Sequence, residues 1–184
     1  MSFLRGERAA ETMAHRFRPD EGAFALWRER DLWVARTDAA AEATLSAFHA
    51  LTAEMPGTVN VAITRARDGA EWTGANAALT DVREGIARLR QPLARTGGLV
   101  ITLWGDGRQL AISAQLSTWA WAPSRSWRPL LISAGLREGA PTELADRRWA
   151  RRAEEFVGSR ELDEVRASVV ARLGLAAPSR VGAD

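Results

Sequence analysis

General acid–base chemistry in this chain would fall on two histidines, His15 and His49, or on its 23 carboxylates, because lysine, cysteine and tyrosine are all absent. His49 adjoins the apolar stripe of a helical segment and reads as a partly buried helix residue rather than a base. His15 stands in a charged N-terminal arm with Asp20 nearby and is likewise not read as a catalytic base. No HExxH motif or comparable histidine–carboxylate cluster occurs, so no protein-built transition-metal site is expected. The lack of cysteine removes disulfides, thiolate catalysis and cysteine-held zinc together. No serine sits in a GxSxG context. Gly105-Asp106-Gly107 is not a phosphate loop, since it joins two strands and opens no helix. Carboxylate pairs such as Asp20-Glu21 and Glu154-Glu155 read as solvated surface. The expectation is therefore a non-enzymatic protein with no cofactor and no metal. An enzyme with a carboxylate-based site is the alternative that residue types alone leave open.

Two features could instead carry binding. The chain has eight tryptophans. If one strand runs unbroken from Gln109 to Ala122, its parity puts Trp119 and Trp121 on the face of Gln109, Ala111 and Ser113, and Trp104 joins them from the partner strand. Aromatic side chains then stand on a face that is otherwise small and polar, where they are either covered or bind a partner. The second feature is the run Arg147-Arg148-Trp149-Ala150-Arg151-Arg152, with Arg125, Trp127 and Arg128 upstream. On a helix Arg147 and Arg151 would flank Trp149 on one side and Arg148 and Arg152 on the other, a rim suited to phosphates or an acidic partner. Asp146, Glu154 and Glu155 lie close enough to neutralise it.

Charge argues in the same direction. All 25 basic residues are arginine and the net charge is only +2, which is little for a nucleic-acid binder. At 46% hydrophobic and 26% charged residues the composition is globular. The longest apolar runs are far short of a membrane span, and the first 21 residues alternate charges with no signal-peptide core, so no membrane partner and a cytoplasmic location are expected.

The elements that would position these residues follow from periodicity. Residues 23–37 read as two short strands joined around Glu29-Arg30, a turn poor in turn-forming residues. Thr37 or Asp38 would cap a helix reaching about Met55, stopped by Pro56-Gly57. Val59, Val61 and Ile63 alternate as in a strand, and a two-residue turn at Asp68-Gly69 would set Arg65 opposite Trp72. Asp81 with Glu84 has the spacing of a capping box, opening a helix with Val82, Ile86, Leu89 and Leu93 on one stripe that Pro92 kinks or ends. Asp106-Gly107 is the strongest hairpin turn. It pairs Leu103 with Leu110, Ile101 with Ile112 and Leu99 with Ala114 on one face, and Trp104 with Gln109, Thr102 with Ala111 and Val100 with Ser113 on the other. A strand or short helix is expected around Leu130–Ile132, a helix from Thr142 through Phe156, and a last one capped by Ser159 and closed by Gly174.

The fold class expected is α+β: an antiparallel or mixed sheet of about six strands built from successive β-hairpins, with helices on one face and a helical C-terminal segment. The organisation expected is a charged arm at 1–20, a sheet domain at 21–135, a helical segment packed on it at 136–175 and a flexible tail at 176–184. The function expected is an interaction or adaptor module that binds a protein partner, or itself as a homodimer, through Trp104, Trp119 and Trp121. A nucleic-acid or polyanion binder using Arg147, Arg148, Arg151, Arg152, Arg125 and Arg128 is the alternative.

Overall fold

A computed structural model describes residues 22–139 and 159–177. In chain order the strands are β1 (Ala23–Glu29), β2 (Leu32–Asp38), β3 (Thr58–Arg65), β4 (Glu71–Ala78), β5 (Leu99–Gly105), β6 (Arg108–Ile112), β7 (Thr118–Ala122) and β8 (Arg137–Glu138). The helices are α1 (Ala41–Leu51), which runs into a 3-10 turn at Thr52–Glu54, α2 (Leu79–Thr96), α3 (Trp127–Ser133) and α4 (Arg160–Arg172). All eight strands form one mixed sheet in the order β4-β3-β5-β6-β7-β2-β1-β8, antiparallel except where β8 lies beside β1. The α+β class stands, with hairpins alternating with helices.

One face of the sheet is largely aliphatic across the six strands between its edges. Across the strands it carries Leu26, Ala35, Ala120, Leu110, Leu103 and Val61 in register. On it lie α1 and α2, with buried Leu45, Phe48 and Leu51 from the first and Val82, Ile86, Leu89 and Leu93 from the second. Beyond α1, α3 inserts Trp127 and Leu131, both fully buried. Beyond α2, α4 inserts Leu162 and Val169. Burial of these side chains is the main stabilising term, about 1.5–3 kcal/mol for each large aliphatic residue. Gly85 lets α4 approach α2 closely, since a Cβ there would stand 2.9 Å from Val169 Cγ1.

Several local expectations hold. The β5–β6 turn has positive φ at both Asp106 and Gly107, and Leu103–Leu110, Ile101–Ile112, Thr102–Ala111 and Trp104–Gln109 pair as expected. Ser159 caps α4, its side chain accepting from Leu162 N–H, and Gly174 takes the left-handed conformation after the helix. Leu130–Ile132 lie in a short helix.

Others are corrected. β2 runs through Asp38, so neither Thr37 nor Asp38 caps α1, whose N-cap is Ala40. The helix expected from Asp81 starts at Leu79, with Asp81 in its first turn. Pro92 does not end it. The helix continues to Thr96 and stops at Gly97, φ 60°. The connection after β3 is longer than a two-residue turn: Gly69 N–H bonds to Arg65 O and Arg65 N–H to Ala70 O. Ile63, not Arg65, therefore faces Trp72. The strand expected to run unbroken from Gln109 to Ala122 breaks at Ser113–Ser117, where Leu116 has φ 61° and the chain reverses into β7. That break and β8 raise the strand count from about six to eight. The helix expected from Thr142 through Phe156 lies outside the described residues.

Candidate functional site

The opposite face of the sheet carries the tryptophans. Reversal at Ser113–Ser117 pairs Gln109 with Trp121 and Ala111 with Trp119, so both rings stand on the face of Gln109 and Ala111. The placement expected for them is thus reached by a hairpin, not by one long strand. A reversal that pairs residues directly keeps them on one face, just as an even step along a strand does.

Register across the sheet then defines two rows. One runs Trp27, Val34, Trp121, Gln109, Trp104, Asn60; the next runs Ala25, Arg36, Trp119, Ala111, Thr102, Ala62. Trp119 and Trp121 stack at 6.0 Å between centroids with 14° between planes. Trp27 meets Trp119 edge to face at 6.1 Å and 84°. The Arg36 guanidinium stands 5.2 Å from the Trp119 ring centroid, a cation–π distance. Val34, between Trp27 and Trp121, is buried, while Trp27 is 36% exposed. Trp104 is 37% exposed and stands apart, because Gln109 separates it from Trp121 by two strand spacings of about 4.8 Å. None of the described helices packs on this face: the buried residues of α1–α4 join the core on the other.

Trp27 is the member that sequence reasoning missed. Its alternation with Phe24 and Leu26 was readable, but its place beside Trp119 depends on β2 pairing with β7, more than eighty positions along the chain. The β1–β2 turn also hid its register, since Arg30 takes φ 54° where glycine or asparagine is usual.

The other nominated residues are not gathered with these rings. Arg125 stacks on Trp33 at 3.8 Å, and strand alternation puts Trp33 on the helix-bearing side. Arg128 Nε donates to Glu138 Oε2 at 2.8 Å. Arg147, Arg148, Arg151 and Arg152 lie outside the described residues. The Arg65–Trp72 stack exists at 5.6 Å, and Arg166 covers the same ring at 4.0 Å. Asp163 accepts from Arg65, Arg67 and Arg166 at 3.2–3.3 Å, so this cluster fastens α4 to β3 and β4. Burial lowers the Arg166 pKa from its ordinary value, and Asp68, bonded by Arg65, is held below the usual carboxylate range.

His49 is half-buried on α1, with its Nε2 3.5 Å from Arg83 Nη2. Burial first, then the charges of Arg83 and Arg90, push its pKa below the ordinary imidazole value and favour the neutral ring. It borders a cavity of about 80 Å³ with Leu45, Ile86, Ala87 and Arg90, far smaller than the roughly 300 Å³ of a small-molecule site. Among the described residues no group of three or more histidines and carboxylates is placed to hold a metal, and no helix is long and apolar enough to cross a membrane. Comparison with protein-family models, curated proteins and solved structures returns no match to this chain.

Proposed function

We propose that this chain is a non-catalytic interaction module whose partner, another protein or a second copy, docks on the outer face of the sheet at Trp27, Trp119 and Trp121, with Trp104 as an outlying contact. The observation that carries the reading is the stacked tryptophan group on the sheet face opposite the core. Tryptophan and arginine are the side chains most often found at the energetic centre of protein interfaces, and Arg36 over Trp119 supplies both. Flanking Gln109, Thr102 and Asn60 give the face a polar rim able to hydrogen-bond a partner.

Removing both rings in the Trp119→Ser/Trp121→Ser double variant tests the reading. Self-association measured by sedimentation, or partner capture measured by native mass determination of co-eluting chains, is expected to be lost while far-UV circular dichroism stays unchanged. Unfolding of the double variant would show the rings to be core and sink the proposal, as would capture that persists undiminished.

A further inference from the structure

The sheet has two edges, and they are closed to different extents. On one, β8 lies along β1, with Arg137 N–H bonded to Gly22 O and Gly139 N–H to Phe24 O. The other edge is β4, eight residues long, on which the described chain lays a single rung: Ala176 N–H donates to Thr73 O at 2.8 Å. An outward Thr73 carbonyl fixes the rest. By strand alternation Glu71, Thr73 and Ala75 turn their N–H and C=O groups away from β3.

This outward run is short and bounded. Past Ala75 the register shifts between Val59 and Val61, Asn76 takes φ 53°, and its N–H is accepted by Asn60 Oδ1 at 3.2 Å. In the other direction the described residues lay no second rung. Antiparallel register would set residue 178 opposite Glu71, and Pro178 has no N–H to give. The one rung is anchored by Leu175, which is buried and seats on Gly74, where a Cβ would stand 2.6 Å from Leu175 Cδ2. Leu175 N–H closes the end of α4 on Val170 O.

Exposed edges are usually protected by lysine, proline or several charges. Glu71–Ala75 contains no proline, no basic residue and one acidic one. It is also self-complementary: two copies paired antiparallel about Thr73 set Glu71 opposite Ala75 at both ends, so the one charge never faces its like. We propose that β4 is a strand-pairing interface for a second copy of this chain, and that Leu175–Ala177 is the plug that occupies it. With the plug seated, β4 is held by its own chain. With the plug withdrawn, two β4 strands pair and the two eight-stranded sheets become one.

Comparing the full chain with a chain ending at Gly174, by light scattering at equal micromolar concentration, tests this. The shortened chain is expected to show twice the mass of the full chain. Adding Thr73→Pro to it is expected to restore the lower mass, because proline there removes an outward N–H and leaves the β3 ladder intact. Leu175 belongs to the core, so folding of the shortened chain is checked by circular dichroism. If it fails to fold, Ala176→Pro in the full chain keeps Leu175, deletes only the rung, and is expected to raise the dimer fraction. Unchanged mass in the variant that folds overturns the proposal, and so does a raised mass that Thr73→Pro leaves in place. Trp119→Ser/Trp121→Ser separates this interface from the outer face, since the β4 dimer is expected to survive it.

Discussion

Leu103 and Trp104 are neighbours on β5, yet they belong to different chemistries. Leu103 has no exposed surface and meets Leu110 and Val61 under the helices, while Trp104 on the other side is 37% exposed beside Gln109. The same contrast holds across the sheet. One face is a continuous aliphatic layer whose side chains are chosen for close packing. The other is a discontinuous row of large rings among small and polar residues. The first explains why the chain folds, and the second is the surface proposed to bind a partner. A pleated strand makes the division sharp, because one residue step moves a side chain from one environment to the other.

The comparison can be broken by substitution, and the largest effect belongs to the helix-bearing face. Leu103→Ala is expected to cost about 2–5 kcal/mol, the range for truncating a fully buried leucine, read from chemical denaturation midpoints. Trp119→Ala is expected to cost less, about 1–3 kcal/mol, since each of its contacts with Trp27 and Trp121 is an aromatic pair of about 0.5–1.5 kcal/mol. Trp104→Ala is expected to cost the least of the three, about 1 kcal/mol, since its ring is partly exposed and lies outside the stack. A Trp104→Ala loss comparable to that of Leu103→Ala would show that the two faces do not differ as described.

The smallest expected effect lies on α1, beside α2, and depends on pH. His49 has a folded-state pKa below its ordinary value, so the unfolded chain binds its proton first as the solution is acidified. Stability is then full above the ordinary imidazole pKa of about 6.5 and declines as pH falls below it. Thermal midpoints measured from pH 7.5 to 5.5 should fall more for the native chain than for His49→Gln. Equal slopes would remove His49 from the account.

How much of this was legible depended on whether local chemistry set the geometry. The β5–β6 hairpin was readable residue by residue, because Asp106-Gly107 satisfies a turn that demands positive φ twice. The β6–β7 reversal was not, since Leu116 supplies the positive φ and Ser113 Oγ accepts from Ser117 N–H, neither of which marks a turn in sequence. The face of Trp119 and Trp121 came out right because parity survives the reversal. The Asp68-Gly69 turn misled by two residues: an ion pair between Arg65 and Asp68 and a bond from Ala70 N–H to Asp68 Oδ1 organise a longer connection. That error kept Arg65 on the correct face, so its stack with Trp72 survived. Trp27 and the plug on β4 depend on contacts between distant parts of the chain, and no local pattern encodes those.

One of those contacts has a consequence for how the chain folds. β2 and β7 join through Thr37 and Thr118, about eighty positions apart, whereas β3–β4, β3–β5, β5–β6 and β6–β7 pair within about fifty. The entropy of closing a loop rises with its length, and non-local pairing slows folding. The strands from β3 to β7 are thus expected to assemble first, and the β1–β2 hairpin to dock on β7 after them. During synthesis this hairpin is made before any of its inter-hairpin partners and must wait for residue 122. Its Trp27 finds Trp119 only when that seam closes, so the aromatic face is completed after the β3–β7 strands have assembled.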